Sequence, residues 1–460
     1  MRELSIVLRH AITVLAGQLA VMAFGVTDTV VAGRHSQEAL AALSIGSAVF
    51  VSVYVALMGV LQALLPVWAE QRGAAQDAAI GASVRQSLYL WLVASVLGMA
   101  LLLAPGPILR ATDVPPELRG EVRTYLAILA WGLPPALLFR IYSTLNQAMG
   151  WPQLVTWLQI GSLALKVPLS VWFTFGGAGL AAQGVAGCAW ATLIVNCALA
   201  LLALWMLRRG RQYAPLRLWR APEAPDRAQL ARFLRLGLPA GLAILVEVTS
   251  FTLMALFIAR QGARAAGAHQ IAANLAAVLY MVPLSLAIAT SARVSFWRGS
   301  GDEIRAGSVA WQGFALSAGM GVALAALLFI ARWPIARLYT SSAEVVALTA
   351  ALLVWVAAYH VADALQTLCI FVLRSWHVTL APLLVYGVML WGGGLAGGYA
   401  LAYRGIGGVA PLHSPAAFWG ASAAALAVVA LAFTALLALV IRLQTRERVR
   451  GAPAPAETPH

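Results

Sequence analysis

The sequence predicts an all-α polytopic membrane protein. We expect twelve transmembrane helices in two six-helix lobes, related by a pseudo-twofold axis along the membrane normal and facing a central cleft. Three observations predict it. Of 460 residues, 61% are hydrophobic and only 10% are charged, whereas about a quarter of the residues of an ordinary soluble domain carry charge. Windows of about 20 apolar residues, the length that crosses a bilayer as a helix, recur along the whole chain. Short motifs also return at a fixed separation.

The windows fall near 10–31, 44–67, 86–105, 122–142, 154–175 and 184–207, then 233–258, 267–290, 309–331, 345–369, 380–402 and 416–441. Residues 1–207 make the N-terminal lobe, and residues 208–232, rich in Arg and Pro, a basic cytoplasmic linker. Residues 233–441 make the C-terminal lobe, and residues 442–460 a cytoplasmic tail. The tail ends in the small, Pro-rich run GAPAPAETPH and is expected to be disordered. Arg2 and Arg9 precede the first apolar run without a small-residue cleavage site, so that run reads as an uncleaved first span.

The repeat is visible in pairs. Leu8-Arg9 recurs as Leu234-Arg235, and Ala42-Leu43-Ser44-Ile45 stands against Ala268-His269-Gln270-Ile271. Arg72-Gly73 recurs as Arg298-Gly299, and all three pairs are 226 residues apart. Pro107-Ile108 and Glu117 match Pro334-Ile335 and Glu344 at a separation of 227. Six spans per repeat is even, so both halves enter the membrane in the same direction and form parallel repeats. Within the spans, Pro134-Pro135, Pro168, Pro283 and Pro382 mark kinks or hinges. The glycines from Gly392 to Gly398 allow close helix packing.

The formal charge is +14, but the arginines are scattered over short loops and do not form a nucleic-acid patch. Inner loops and termini carry 21 of them, with Arg140 placed at a helix end, and outer loops carry nine. This bias puts both termini in the cytoplasm, and the chain is expected in the cell's inner (plasma) membrane, in contact with lipid. A monomer is expected. Cys188, Cys197 and Cys369 lie in spans without metal-ligand spacing and read as buried thiols.

Three acids fall inside spans: Asp28, Glu247 and Asp363. A carboxylate in hydrocarbon costs at least about 2.5 kcal/mol, so each needs a partner, a cavity or a visiting cation. Asp28 lies in the first span between Thr27 and Thr29. Glu247 sits in the middle of the seventh span, with Phe251 one turn on, where its ring could face a cation. In the tenth span Tyr359, His360, Asp363 and Gln366 share a helical face. Two carboxylates in one desolvated pocket can exchange protons near neutral pH. Lys166, the only lysine, falls in the fifth span and is expected to pair with Asp28. Asn196 in the sixth span is a buried amide that joins this polar network or bridges helices. No P-loop, HExxH helix or nucleophile elbow is present. The chain is therefore not read as an enzyme, it implies no cofactor, and transport must draw on an ion gradient.

At GVTDTVVAG in span one, GAHQIAANLAAVLYMVPLSLAIATSARV in span eight and VADALQTLCIFVLRSWH in span ten, the sequence resembles the multidrug and toxic compound extrusion (MATE) family, in its NorM-like branch. The resemblance implies an antiporter that exports hydrophobic organic cations by alternating access, driven by Na⁺ or H⁺. It implies that Glu247 and Asp363 bind the coupling cation, and serve as metal ligands if that cation is Na⁺. It also implies contacts to cation or drug from Tyr359, Phe251, Gln270 and Tyr280, and a second polar site at Asp28. Where the family often carries span-five asparagines in a pattern like NxPLN, this chain has Lys166-Val167-Pro168-Leu169-Ser170. A fixed ammonium beside Asp28 disfavours a metal cation there, so coupling is expected to concentrate at Glu247 and Asp363. The alternative is a flippase for a lipid-linked oligosaccharide, which should place several arginines in the central cleft. The spans as read offer one lysine and three acids.

Overall fold

In a computed structural model the chain is almost entirely helical. The structure describes residues 2–111, 115–177, 179–221, 223–408 and 410–451. Among the described residues, twelve helices are long and apolar enough to span a membrane. In the first half these are α1 (Arg2–His35), α2 (Gln37–Gly73), α3 (Asp77–Leu103), α4 (Pro116–Ala148), α5 (Pro152–Phe175) and α6 (Val185–Arg209). In the second half they are α7 (Arg227–Ala259), α8 (Ala263–Gly299), α9 (Glu303–Tyr339), α10 (Ala343–Ser375), α11 (Leu380–Tyr403) and α12 (Pro415–Gly451).

Local chemistry fixes their ends. Ser36 caps α2 by accepting from the Ala39 amide at 3.0 Å. Asp226 caps α7 at the amides of Ala228 and Gln229, and Asp302 caps α9 at that of Arg305. These acids supply the acceptor that a helix start lacks. Pro134 and Pro135 are tolerated within α4, where Trp91 donates to the Pro134 carbonyl at 2.8 Å. Helix α11 widens into a π-helix over Gly387–Ala396. Its small face lies against α12, with the Cα of Ser422 and the Cβ of Ala425 close to Gly394.

Each half packs on itself. Helices α1 and α5, α2 and α4, and α4 and α6 pair in the first; α8 and α10, α9 and α10, and α10 and α12 pair in the second. The halves meet through α1 against α8 and α2 against α7 and α8. The named cross-lobe contacts lie toward the chain termini. Glu3 pairs with Arg293 at 2.5 Å, and Glu70 faces Arg298 at 3.8 Å and His377 at 3.4 Å. Gly73 and Gly299, the repeated glycines, close the seam. A Cβ on Gly73 would stand 1.9 Å from the Phe296 carbonyl oxygen, and one on Gly299 1.8 Å from that of Glu70. Side chains such as Trp131, Trp157, Ile330 and Leu338 are exposed around the outside, where lipid would cover them.

Two sequence expectations need correction. Helix α12 runs to Gly451, so the expected disorder does not hold for residues 442–451; the helix initiated by the apolar span carries its basic extension with it. Residues 452–460 lie outside the described residues. Arg140 is not at a helix end, because α4 continues to Ala148 and leaves Arg140 two turns inside it and 7% exposed.

Candidate functional site

The C-terminal lobe gathers two of the three acids. Asp363 on α10 is 3% exposed. Gln366, one turn on, donates from Nε2 to Asp363 Oδ1 at 2.8 Å, and Thr367 Oγ1 lies 3.5 Å from the same oxygen. Tyr386 on α11 holds the other end of the Gln366 amide through Oε1. The i, i+3 and i, i+4 geometry of α10 makes this cluster. Glu247 on α7 is half-buried and within electrostatic reach of Asp363 and of Arg374. Neither acid has a cationic side-chain nitrogen within 4.0 Å among the described residues. Tyr280 on α8 is within electrostatic reach of both acids and of Arg374.

Above them three rings meet edge to face. Phe251 stands 5.9 Å from Tyr359 and 6.1 Å from Trp419, and Tyr359 stands 5.8 Å from Trp419. Such pairs favour tilted packing over stacking because ring edges are positive and faces negative. Trp419 donates to Nδ1 of His269 at 3.2 Å. Of the expected residues, Tyr359, His360, Asp363 and Gln366 are all buried. His360 Nε2 has no hydrogen-bond partner, so it adds no bond to the acid cluster. Gln270 is exposed and bonds to Asn274 at 3.3 Å, and no recorded contact brings it to the acids.

The N-terminal lobe is built differently. Lys166 on α5 is fully buried and places Nζ 2.7 Å from Asp28 Oδ1. It also donates to Thr192 Oγ1 at 2.7 Å and to the Cys188 carbonyl at 3.0 Å. Ser170, the other departure from the NxPLN pattern, donates to Asp28 Oδ1 at 3.1 Å. Thus all three protons of the ammonium have acceptors, and the expected pairing is present in the geometry. Asn196 both lines this lobe's cavity and reaches the Gly132 carbonyl at 3.4 Å, bridging α6 and α4. The cavity, of about 380 Å³, is bounded by α1, α2, α4, α5 and α6 and includes Asp28 and Arg140 in its wall.

Sequence reasoning missed four residues, among them Tyr386, which holds Gln366. Arg140 was hidden because it falls at the edge of its apolar window and read as a helix end, and Arg374 because the polar stretch after its window read as a loop, while the helices continue to Ala148 and Ser375. The membrane-spanning helices therefore carry three buried arginines, Arg85, Arg140 and Arg374, beyond the expected lysine and three acids. Arg374 leaves Nε and Nη1 unpartnered and lies 4.4 Å over the Phe371 ring. Trp419 sits in the last span, where one ring among many apolar residues gives no signal.

Two helical lobes with buried ionisable groups inside membrane-spanning helices define a multi-pass membrane transporter. The sequence model of the MatE family matches residues 14–172 and 239–399, once in each half. The chain belongs to the MatE family. It is similar to a probable multidrug resistance protein NorM of Aromatoleum aromaticum, with 37% identity covering 94% of this chain and 93% of that one. A probable NorM of Chromobacterium violaceum is 33% identical, with 94% and 93% covered. Among solved structures, an outward-facing multidrug resistance MATE transporter of the MOP superfamily superposes with a TM-score of 0.87 over 96% of this chain and 97% of that one. At 16% identity this likeness concerns the fold. The protein is a multidrug efflux transporter of the membrane, not an enzyme.

Proposed function

We propose that the protein exports hydrophobic organic cations in exchange for Na⁺ or H⁺, as a monomer in the bacterial inner membrane with both termini cytoplasmic. The observation that carries this reading is the Glu247–Asp363 pair: two acids in mutual electrostatic reach, with no ion pair to either among the described residues. Two acids in one pocket favour the arrival of a positive charge, whether proton, metal cation or drug. Competition among these for one site couples their movements. One charge falling through about 100 mV releases roughly 2.3 kcal/mol, enough for a solute gradient of more than tenfold, since a decade costs about 1.4 kcal/mol.

In this mechanism the chain closed at its termini side presents the acids to the opposite face. The coupling cation enters and settles between Glu247 and Asp363. A Na⁺ ion would complete its oxygen shell from neutral neighbours such as Thr367 Oγ1, whereas a proton needs only a carboxylate oxygen. Neutralisation removes the attraction for a cationic drug, which leaves the aromatic pocket of Phe251, Tyr359 and Trp419. Reopening at the termini side then returns the cation inward and reloads the drug. Lys166 keeps Asp28 out of this exchange.

The test is ethidium efflux from energised vesicles, with a Na⁺ gradient and a pH gradient imposed separately, in the wild type, Glu247→Gln and Asp363→Asn. One gradient should drive efflux in the wild type, and both variants should lose it. Efflux that persists at wild-type rates in either variant rejects the assignment.

A further inference from the structure

Arg140 is the buried charge for which the mechanism above has no use. It is 7% exposed, its Nε is unpartnered, and among the described residues it makes no hydrogen bond or ion pair. Its obvious counter-ion is already committed: Asp28 shares the cavity but gives Oδ1 to Lys166 and Ser170 and stands beyond ion-pair distance from Arg140. Asp28 and Arg140 are the charged residues in the wall of this cavity of about 380 Å³, and with Lys166, which does not line it but pairs with Asp28, the surrounding groups carry one net positive charge. The cavity's size lies within the range of small-molecule pockets, about 300–1,000 Å³. Phe24, Phe50, Tyr54, Tyr125 and Phe139 line it, and the Phe50 and Tyr54 rings lie parallel at 5.8 Å. The remaining polar wall, Thr29, Ser47, Gln159, Thr192 and Asn196, carries no negative charge.

A guanidinium without a counter-ion in such a place is costly unless an anion visits it. Its planar fork of donors matches a carboxylate through two parallel bonds, and the rings match a flat aromatic body. We propose that the N-terminal lobe holds a carboxylate-binding subsite centred on Arg140, which takes the acid group of an aromatic substrate. This deepens the transport reading and rests on it for the word substrate, but the subsite itself is a binding claim. Substrates carrying both an amine and an acid would then address both lobes, the amine at Glu247 and Asp363, the acid at Arg140. A free pyrophosphate lipid is a poorer fit, since Arg140 stands alone where a doubly charged headgroup needs several cations.

The experiment is equilibrium binding to the full chain in nanodiscs, with naphthalene-2-carboxylate and its methyl ester as paired probes that share one ring system. In the wild type the acid should bind at least tenfold more tightly than the ester, and high salt should reduce the difference. Arg140→Gln should abolish the difference. Arg140→Lys, which keeps the charge without the fork, should retain a few-fold part of it and guards against loss of fold in the glutamine variant. Glu247→Gln should keep the acid preference in full while losing ion-driven efflux, so the subsite and the coupling assignment fail separately. Equal binding of acid and ester to the wild type overturns the proposal, as does an unchanged preference in Arg140→Gln.

Discussion

In the N-terminal lobe the buried carboxylate of Asp28 is 2.7 Å from the ammonium of Lys166, whose remaining protons go to Thr192 and the Cys188 carbonyl. In the C-terminal lobe Glu247 lies within electrostatic reach of Asp363, which has only neutral donors, Gln366 and Thr367, at hydrogen-bonding distance among the described residues. The helix plan of the two lobes is the same, and the repeated motifs put matching helix ends at matching places. Their buried sites nevertheless carry opposite formal charge: one net positive with Arg140, one net negative even when Arg374 is included. A satisfied ion pair has no free energy to gain from an arriving cation, whereas two acids held together do. The division of labour is therefore a matter of which lobe was left unsatisfied, not of which lobe has an acid.

The largest effect that tests this difference is the loss of coupling. Glu247→Gln or Asp363→Asn should lower ion-driven ethidium efflux at least tenfold without lowering thermal stability, because each removes one of two neighbouring like charges. Asp28→Asn should act otherwise, leaving the Lys166 ammonium buried without its counter-ion. Comparable folded protein and comparable efflux loss in all three would mean the lobes are not specialised. Next comes Lys166→Met. Stripping one partner from a buried pair costs about 3–5 kcal/mol, so thermal unfolding in detergent should occur at markedly lower temperature, and the double variant with Asp28→Asn should recover most of the loss. No recovery would show that packing, not charge, holds this site.

The twelve spans and the parallel repeat were legible as apolar windows and as motifs at a fixed separation, and the Asp28–Lys166 pair because a charge in an apolar run is expensive enough to announce itself. Glu247 and Asp363 were found the same way. Arg140, at the edge of its window, and Arg374, just past its own, were not, because hydropathy windows end near the polar residues of the last turns, whereas the helix does not. Backbone hydrogen bonding carries α4 on to Ala148 and α10 on to Ser375. Trp419 and Tyr386 were invisible for another reason, since ring–ring and ring–amide contacts across helices depend on rotation about the helix axis, which composition does not encode. Gln270 shows the converse, a residue placed by resemblance that no recorded contact joins to the acids.

A smaller effect probes what the lobes share. Gly73 and Gly299 are equivalent in the repeat, and each meets a carbonyl oxygen of the other lobe within 2 Å of where a Cβ would stand. Backbone cannot swing aside as a side chain can, so Gly73→Ala and Gly299→Ala should each weaken the termini-side seam by about 1–3 kcal/mol, the usual cost of overpacking. Cysteines introduced across the seam should cross-link less in either variant. Similar losses from the two would confirm that the seam is symmetric where the ion sites are not. A loss confined to one glycine would show that the pseudo-symmetry stops short of the gate.

The smallest effect concerns the tie between the lobes outside the membrane. Arg85 on α3 pairs with Glu223 through both carboxylate oxygens and also donates to the Arg217 carbonyl, while Gln86 bonds to the Ala224 carbonyl and the Asp226 amide. The hydrogen bond from Arg85 holds the Glu223 carboxyl below the usual carboxylate range. A depressed acid contributes stability above its unfolded value, near 4.3, and loses it as the pH falls through the lower folded value. Glu223→Gln should therefore lower the unfolding temperature slightly at neutral pH, and the difference should fade as the pH falls through the depressed folded value, where the wild type also loses the charge. The exposed position and salt screening keep the shift small, and added salt should shrink it further. A shift as large as that of Lys166→Met would mean that the loop clamp, rather than the buried pair, anchors the N-terminal lobe.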